Sequence, residues 1–121
     1  MTRRRSVQVR RVYDDPERTD GARILVDRLW PRGVRKGDVG HDEWLRGIAP
    51  STELRRWYGH RPERFDGFAQ RYRKELRSGE AADALESLKS RARLGPITLL
   101  TATRDIERSA AAVLAGILRD G

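Results

Sequence analysis

Short apolar runs bounded by turn residues predict three β-strands. The runs cover residues 7–13, 23–27 and 97–101, and each borders a Gly, Pro or Asp turn signal. The second run is apolar on both faces, a pattern typical of a buried central strand. Residues 41–48 fit either a short edge strand or an irregular connection, and the pattern leaves this choice open.

Apolar residues at helical spacing predict four helices in the remaining sequence. The first begins at Ser51, whose side chain can cap the first turn, and ends at Gly59. The other three each carry one apolar face: Phe65, Phe68, Ala69, Tyr72 and Leu76 in the second, Ala81, Leu85, Leu88 and Ala92 in the third, and Ile106, Ala110, Val113, Leu114 and Ile117 in the last. Asp105 is predicted to cap the last helix.

The order of these elements predicts an α/β fold. Helices connect the second and third predicted strands, so these two strands should lie parallel with a right-handed crossover. We therefore predict a small three-layer α/β domain in which helices flank a mostly parallel sheet. The chain of 121 residues allows a single core, so one domain is expected over residues 1–121. Within it, residues 1–5 are expected to form a disordered basic arm.

The chain is strongly basic, and arginine supplies almost all of the positive charge. The net charge is +8, and among the 26 basic residues only Lys36, Lys74 and Lys89 are lysine. Arginine suits phosphate and carboxylate recognition because its planar fork makes paired hydrogen bonds. The basic residues are scattered along the chain, however, so general solubility and arginine-rich codon usage also explain the charge.

Several functional classes are excluded by what the sequence lacks. Without cysteine, the chain forms no disulfide, thiolate zinc site or cysteine nucleophile. His41 and His60 have no partner at metal-ligand spacing, and complete nucleotide-binding glycine motifs are missing, so we predict no metal and no cofactor. No secretion signal follows the N-terminal arginines and no apolar stretch approaches 18 residues, which leads us to expect a cytoplasmic protein.

Polar and charged residues follow two of the predicted strands at the point where each strand ends. Ligands bind beyond the carboxyl ends of the strands in open α/β sheets, and helix N-termini favour anions. We therefore predict a binding site for an anion at this edge of the sheet. Its predicted ligand-binding residues are Arg28, Trp30, Arg32, Thr101, Thr103, Arg104 and Asp105. Two of them, Trp30 and Asp105, also fit structural roles, in the core and as a helix cap.

Two further residues are candidates for acid–base chemistry. Asp27 ends a hydrophobic strand and is the candidate general base if the protein is an enzyme, with neighbouring arginines stabilising negative charge. His60 is the second catalytic candidate because an imidazole titrates near neutral pH. Structural roles remain open for both: Asp27 would pair with Arg28, Arg32 or Arg104, and His60 would interact with a helix C-terminus.

Two long, unusual stretches carry a family resemblance. Residues 24–33 read ILVDRLWPRG and residues 48–55 read IAPSTELR. Together with Trp44, His60 and the Arg71-Tyr72 pair, they resemble the YeaO-like family of bacterial domains of unknown function (the DUF 488 family) over nearly the whole chain. The resemblance implies a small bacterial cytoplasmic protein without an established activity.

The chain departs from the more distant members of that family near its end. Those relatives carry a cysteine on the final strand and a Cys-His-Arg triplet in the next helix, and closer relatives often have Asn-His near Arg108. Here residues 101–105 read TATRD and residues 107–110 read ERSA. The resemblance therefore carries no catalytic residue over to these positions.

Three functional hypotheses follow. The leading one is a small-molecule site for an anionic, phosphate-bearing ligand such as a nucleotide or sugar phosphate. The second is a sequence-nonspecific nucleic-acid-binding module that uses the net charge, the N-terminal arginines and exposed aromatic rings. The third is a non-catalytic protein-interaction subunit. Asp27 favours the first hypothesis because a stripe that only contacts phosphates would not need a carboxylate.

Overall fold

All the strands in the described part of the chain pair in parallel. The computed structural model describes residues 6–120, and the basic arm predicted at residues 1–5 lies outside them. The elements are β1 (Val7–Arg11), β2 (Ala22–Leu25), β3 (Glu43–Trp44), α1 (Thr52–Tyr58), α2 (Phe65–Glu75), α3 (Gly79–Leu94), β4 (Ile97–Thr101) and α4 (Ala110–Asp120). Each of these helices is too short or too polar to span a lipid bilayer.

The sheet has the strand order β1-β4-β2-β3. The predicted parallel pairing of the two most apolar strands is confirmed, since β2 lies beside β4 with Ile24 opposite Leu99. β3 is a two-residue edge strand on the other side of β2, followed by a 3-10 turn at Arg46–Ile48. Because β2 and β4 are parallel neighbours, the segments that follow them leave the sheet at the same edge.

One face of the sheet carries the larger core, because alternate strand residues point to opposite faces. Ile24 of β2 and Leu99 of β4 lie in this core and are fully buried. All four helices of residues 6–120 contribute to it. Their buried members include Leu54 and Tyr58 of α1, Phe68 and Tyr72 of α2, Leu85 and Leu88 of α3, and Leu114 and Leu118 of α4.

The opposite face of the sheet is covered by connecting segments. Leu25 and Leu100 pack there against Val39, and Trp30 and Val34 from the same loop close the cluster. The predicted α/β class is confirmed, but within the described residues the third layer is built from loops instead of helices. The segment between β2 and β3 is rich in glycine and charge, so it lacks the continuous apolar stripe that a packed helix needs.

A buried ion pair fastens this loop layer to the sheet. The Arg23 guanidinium donates to the Asp20 carboxylate, and also to the carbonyls of Val39 at 3.2 Å and Gly40 at 3.0 Å. Burial opposes ionisation of Asp20, but hydrogen bonds from the Glu17 backbone and from Arg23 outweigh it and hold the pKa of Asp20 below its ordinary value. The pair therefore acts as a structural anchor on the face away from the helices.

Capping residues determine where α1 and α4 begin next to the sheet edge. The Ser51 hydroxyl accepts a hydrogen bond from the Leu54 amide at 3.1 Å, which confirms the predicted start of α1. The predicted cap of the last helix was wrong. Asp105 precedes a separate 3-10 turn and caps nothing with its side chain, whereas the Ser109 hydroxyl accepts from the Ala112 amide at 3.1 Å. The intervening turn moves the start of α4 four residues beyond the place where Asp105 could cap it.

Candidate functional site

A cavity of about 280 Å³ opens where β2 and β4 end. Its walls come from the segment after β2, the start and end of α1, the middle of α2 and the connection from β4 to α4. The lining residues are Val26, Asp27, Arg28, Leu29, Trp30, Pro31, Arg32, Ala49, Pro50, Arg55, Tyr58, His60, Phe68, Ala102, Thr103, Arg108, Ser109 and Ala110. The mixture of apolar walls with several cationic groups is typical of a site for a small organic anion.

Asp27 lies at the base of this cavity and joins the two strands. Its Oδ1 accepts a hydrogen bond from the Thr101 hydroxyl at 2.7 Å, and its Oδ2 accepts one from the Ala102 amide at 2.7 Å. Its own backbone carbonyl accepts from the Trp44 indole at 2.7 Å, which ties in the edge strand as well. The carboxylate therefore has a fixed position between the ends of β2 and β4.

Among the described residues, the Asp27 carboxylate has only neutral hydrogen-bond donors as partners. Among the ion pairs of residues 6–120, none includes Asp27, although four arginines line the same cavity. Burial raises the pKa of Asp27 above its ordinary value, and the bonds from Ala102 and Thr101 and the positive charge of Arg55 offset only part of that effect. The salt bridges that the sequence left open for Asp27 do not form.

Two arginines of the cavity have buried nitrogen atoms without a hydrogen-bond partner. Arg28 and Arg55 each bury the Nε of the guanidinium, and neither atom meets an acceptor within the described residues. Within residues 6–120, the only hydrogen bond of the Arg55 side chain is a long one of 3.3 Å to the Thr52 hydroxyl. An unsatisfied buried donor costs about 1–3 kcal/mol, and more when it is charged, so both groups favour an additional acceptor.

Exposed residues form the mouth of the cavity. Arg32 is exposed, and Leu29 is 68% exposed although it is a large apolar residue. Arg108 pairs with Asp105 at 3.1 Å in an exposed ion pair, which leaves its backbone to line the wall. Exposed pairs of this kind contribute little to stability, so the pair does not hold Arg108 firmly away from a ligand.

His60 stands at the mouth in a strained backbone conformation. Gly59 ends α1 with φ 55°, and His60 repeats that left-handed value although it is not glycine. A non-glycine residue in this region costs roughly 1–2 kcal/mol. Strain of this kind is concentrated at functional sites, where it fixes the direction of a side chain.

Tyr58 and Phe68 build the wall between α1 and α2. Their rings stack with centroids 4.4 Å apart, and the Tyr58 hydroxyl donates to the Arg108 carbonyl at 2.7 Å. Burial raises the pKa of Tyr58, so the hydroxyl keeps its proton for this bond at neutral pH. The wall therefore connects both helices to the segment that follows β4.

The structure brings together most of the residues that the sequence selected. Asp27, Arg28, Trp30, Arg32, His60 and Thr103 all line the cavity. The other three lie elsewhere: Thr101 is buried beneath the cavity as the partner of Asp27, and Arg104 and Asp105 are exposed outside it. The Trp30 indole donates to the Val34 carbonyl at 2.7 Å, so this ring also has the structural role that was left open.

The sequence did not select four of the polar residues that line the cavity: Arg55, Tyr58, Arg108 and Ser109. Arg55 belongs to the stretch at 48–55 that carries the family resemblance, which was the one available signal. Its helix is separated from β2 by more than twenty residues, and no local pattern places it at the sheet edge. No three His, Asp or Glu side chains in residues 6–120 cluster as metal ligands would.

Comparison with known proteins gives consistent matches over almost the whole chain. The model of a family described as the inactive DUF488-N3 subclade matches residues 6–121. An uncharacterised protein of Mycobacterium tuberculosis strain H37Rv is 50% identical over 118 residues, which cover 98% of each chain. The uncharacterised protein YeaO of Escherichia coli strain K12 is 42% identical over 114 residues, or 94% of this chain and 97% of YeaO. No solved structure matches significantly. The resemblance predicted from the sequence is confirmed.

Proposed function

The chain belongs to the inactive DUF488-N3 subclade, and on that premise we propose that its cavity binds a small oxyanion without transforming it. The ligand carries a phosphate or carboxylate group, which the arginines of the cavity recognise. The observation that supports the proposal most strongly is the pair of buried, unpartnered Nε atoms of Arg28 and Arg55. An oxyanion is the acceptor that satisfies both groups and neutralises their charge.

The charge balance of the cavity supports an anion over a neutral ligand. Arg28, Arg32 and Arg55 line it without an ion-pair partner among residues 6–120, against the carboxylate of Asp27, whereas Arg108 is paired with Asp105. Arg28 and Arg55 are partly buried, so their interaction with an anion is screened less by salt than a surface contact would be. A volume of about 280 Å³ lies just below the usual range for ligand pockets and favours a small molecule.

Binding without chemistry fits the arrangement of the two catalytic candidates. Each oxygen of Asp27 already accepts a hydrogen bond from Thr101 or Ala102. His60 lies at the exposed mouth, and within the described residues it makes no hydrogen bond to a carboxylate that would orient it as a base. The chain also contains no cysteine to act as a nucleophile.

An NMR titration with inorganic phosphate and with propyl phosphate tests the proposal. We expect both to bind, with chemical-shift changes concentrated at the ends of β2 and β4 and at the start of α4. The variants Arg28→Gln and Arg55→Gln should each weaken binding at least tenfold, since a hydrogen bond to a charged group contributes about 1.5–3 kcal/mol.

Two exposed arginines outside the cavity provide matched controls. Arg56 neighbours Arg55 on α1, and Arg35 lies in the loop that follows β2. Arg56→Gln and Arg35→Gln remove the same charge and should change the affinity less than twofold. If all four variants weaken binding equally, the anion is held by the diffuse charge of the protein, and the proposed site is wrong. An absence of binding by the wild-type protein would also refute the proposal.

A further inference from the structure

The acceptor capacity of Asp27 is only half used by the protein. A carboxylate offers about four lone-pair positions, and the Thr101 hydroxyl and the Ala102 amide occupy one on each oxygen. Asp27 is partly exposed and lines the cavity, so the remaining positions are available to a ligand. A ligand group that meets them must be a hydrogen-bond donor.

The negative charge of Asp27 is not needed for its structural bonds. An asparagine could accept from the Ala102 amide with its oxygen and donate to the Thr101 hydroxyl with its nitrogen, so both strand ends would stay joined. The charge is also unfavourable for a bare anion, because a carboxylate in the same cavity repels it. A ligand that brings a hydrogen-bond donor gives the charged carboxylate a role in recognition, in addition to its attraction to Arg55.

We infer that the ligand of this cavity is a hydroxylated oxyanion, with its phosphate or carboxylate on Arg28 and Arg55 and a hydroxyl donating to Asp27. The inference rests on the proposed function and adds the second group by which the same site recognises its ligand. Small polyol phosphates and hydroxy acids have this chemistry. Arginines and a charged acceptor line the same cavity, so both groups of such a molecule have a partner there.

A pair of matched ligands isolates the hydroxyl contribution. Glycerol 3-phosphate and propyl phosphate have the same carbon chain and the same phosphate, and only the first carries hydroxyl groups. Calorimetric titration of the wild-type protein at pH 7 should give at least fivefold tighter binding of glycerol 3-phosphate. In Asp27→Asn that preference should fall to less than twofold, while propyl phosphate binds more tightly than to the wild type because the repelling charge is gone.

The tighter binding of propyl phosphate and the lost preference for glycerol 3-phosphate in Asp27→Asn separate recognition from a structural role. A substitution that only disturbed the shape of the cavity would lower the affinity for both ligands. A ¹³C NMR measurement of the Asp27 carboxyl group in the wild-type protein reports the same contact without any variant. The chemical shift of this carboxyl group should change when glycerol 3-phosphate binds. The change with propyl phosphate should be much smaller.

Each outcome has a distinct meaning. If neither ligand binds the wild-type protein, the proposed function fails and the inference fails with it. If both bind with equal affinity, the oxyanion site stands and the inference is overturned. A preference for glycerol 3-phosphate that survives in Asp27→Asn would also overturn it, because another residue would then recognise the hydroxyl.

Discussion

The Thr101 hydroxyl donates a hydrogen bond to Asp27 Oδ1 at 2.7 Å, and this contact joins the ends of two adjacent parallel strands beneath the cavity. Thr101 also accepts from the Thr103 amide at 3.2 Å, so the segment after β4 turns around the same hydroxyl. The candidate site is therefore built on the rigid sheet edge, and its carboxylate is held in place before any ligand arrives. A preorganised group loses little entropy when a ligand binds.

Asp27→Asn should stabilise the protein at neutral pH. Burial raises the pKa of Asp27 above 3.8, so in the folded state the ionised form is disfavoured relative to the neutral one. Below pH 3.8 Asp27 is protonated in both the folded and the unfolded chain, so the fold has its full stability there. That part of the stability is lost as the pH rises through the folded-state pKa of Asp27. The variant should therefore melt a few degrees above the wild type at pH 7 and at the same temperature at pH 3, as thermal unfolding at both pH values will show. A clear drop at pH 7 would mean that the charge is structural.

Asp20→Asn should have the opposite effect. Asp20 and Arg23 are both buried, and removing the carboxylate leaves the guanidinium charge without its partner. We expect a loss of about 3–5 kcal/mol, or roughly 10–20 °C in melting temperature. The pKa of Asp20 is lowered, so in the wild type this stabilisation is lost as the pH falls through the folded-state pKa, below 3.8. Calorimetry of the two aspartate variants side by side tests the contrast; similar losses would contradict it.

Thr101→Val should destabilise the fold and also weaken ligand binding. The substitution keeps the shape but leaves Asp27 Oδ1 and the Thr103 amide without their partner, at a cost of about 1–3 kcal/mol. Thr98→Val is the matched control, because this buried residue of the same strand donates to the Asp20 carbonyl at 2.7 Å, away from the cavity. Denaturant unfolding should show comparable losses for both variants. Only Thr101→Val should reduce the affinity for glycerol 3-phosphate. An equal reduction in Thr98→Val would show that the lower affinity comes from general destabilisation and not from the contact next to the cavity.

The strain at His60 predicts a difference between two substitutions. His60→Gly removes the side chain and the cost of its left-handed backbone, whereas His60→Ala removes the side chain and keeps the strain. The glycine variant should therefore be more stable than the alanine variant by up to about 1 kcal/mol. Both lose the same imidazole and should bind phosphate with the same affinity as each other. Urea unfolding and an NMR titration measure the two quantities, and a more stable alanine variant would contradict the account.

The local sequence was sufficient to predict the fold class and one wall of the site. The apolar runs at 23–27 and 97–101 identified the two central strands, and Ser51 marked the start of α1. Parallel pairing then placed Asp27 and Thr101 at one edge, where the structure shows them in direct contact. These features depend on short-range patterns and on a general rule of α/β topology, so they can be read from a single sequence.

The rest of the site depends on tertiary packing, which the sequence pattern does not encode locally. Arg55 reaches the cavity because α1 packs through Tyr58 and Phe68, and no spacing in the sequence indicates that orientation. Arg104 was expected in the site but is exposed outside it, since the chain turns around the Thr101 hydroxyl directly after β4. Helices were predicted on both faces of the sheet, but a loop held by Arg23 covers the face opposite the helices. The burial of Arg23 is visible only in the structure.

A crystal structure of the protein with propyl phosphate is the decisive measurement, because it locates the oxyanion relative to the unpartnered Nε atoms of Arg28 and Arg55. We expect phosphate oxygens within hydrogen-bond distance of both Arg28 Nε and Arg55 Nε, which are the two cavity members among the three buried arginine Nε atoms that lack an acceptor in the described residues. A phosphate bound only to exposed arginines such as Arg35 or Arg56, with both buried Nε atoms still unpaired, would contradict it.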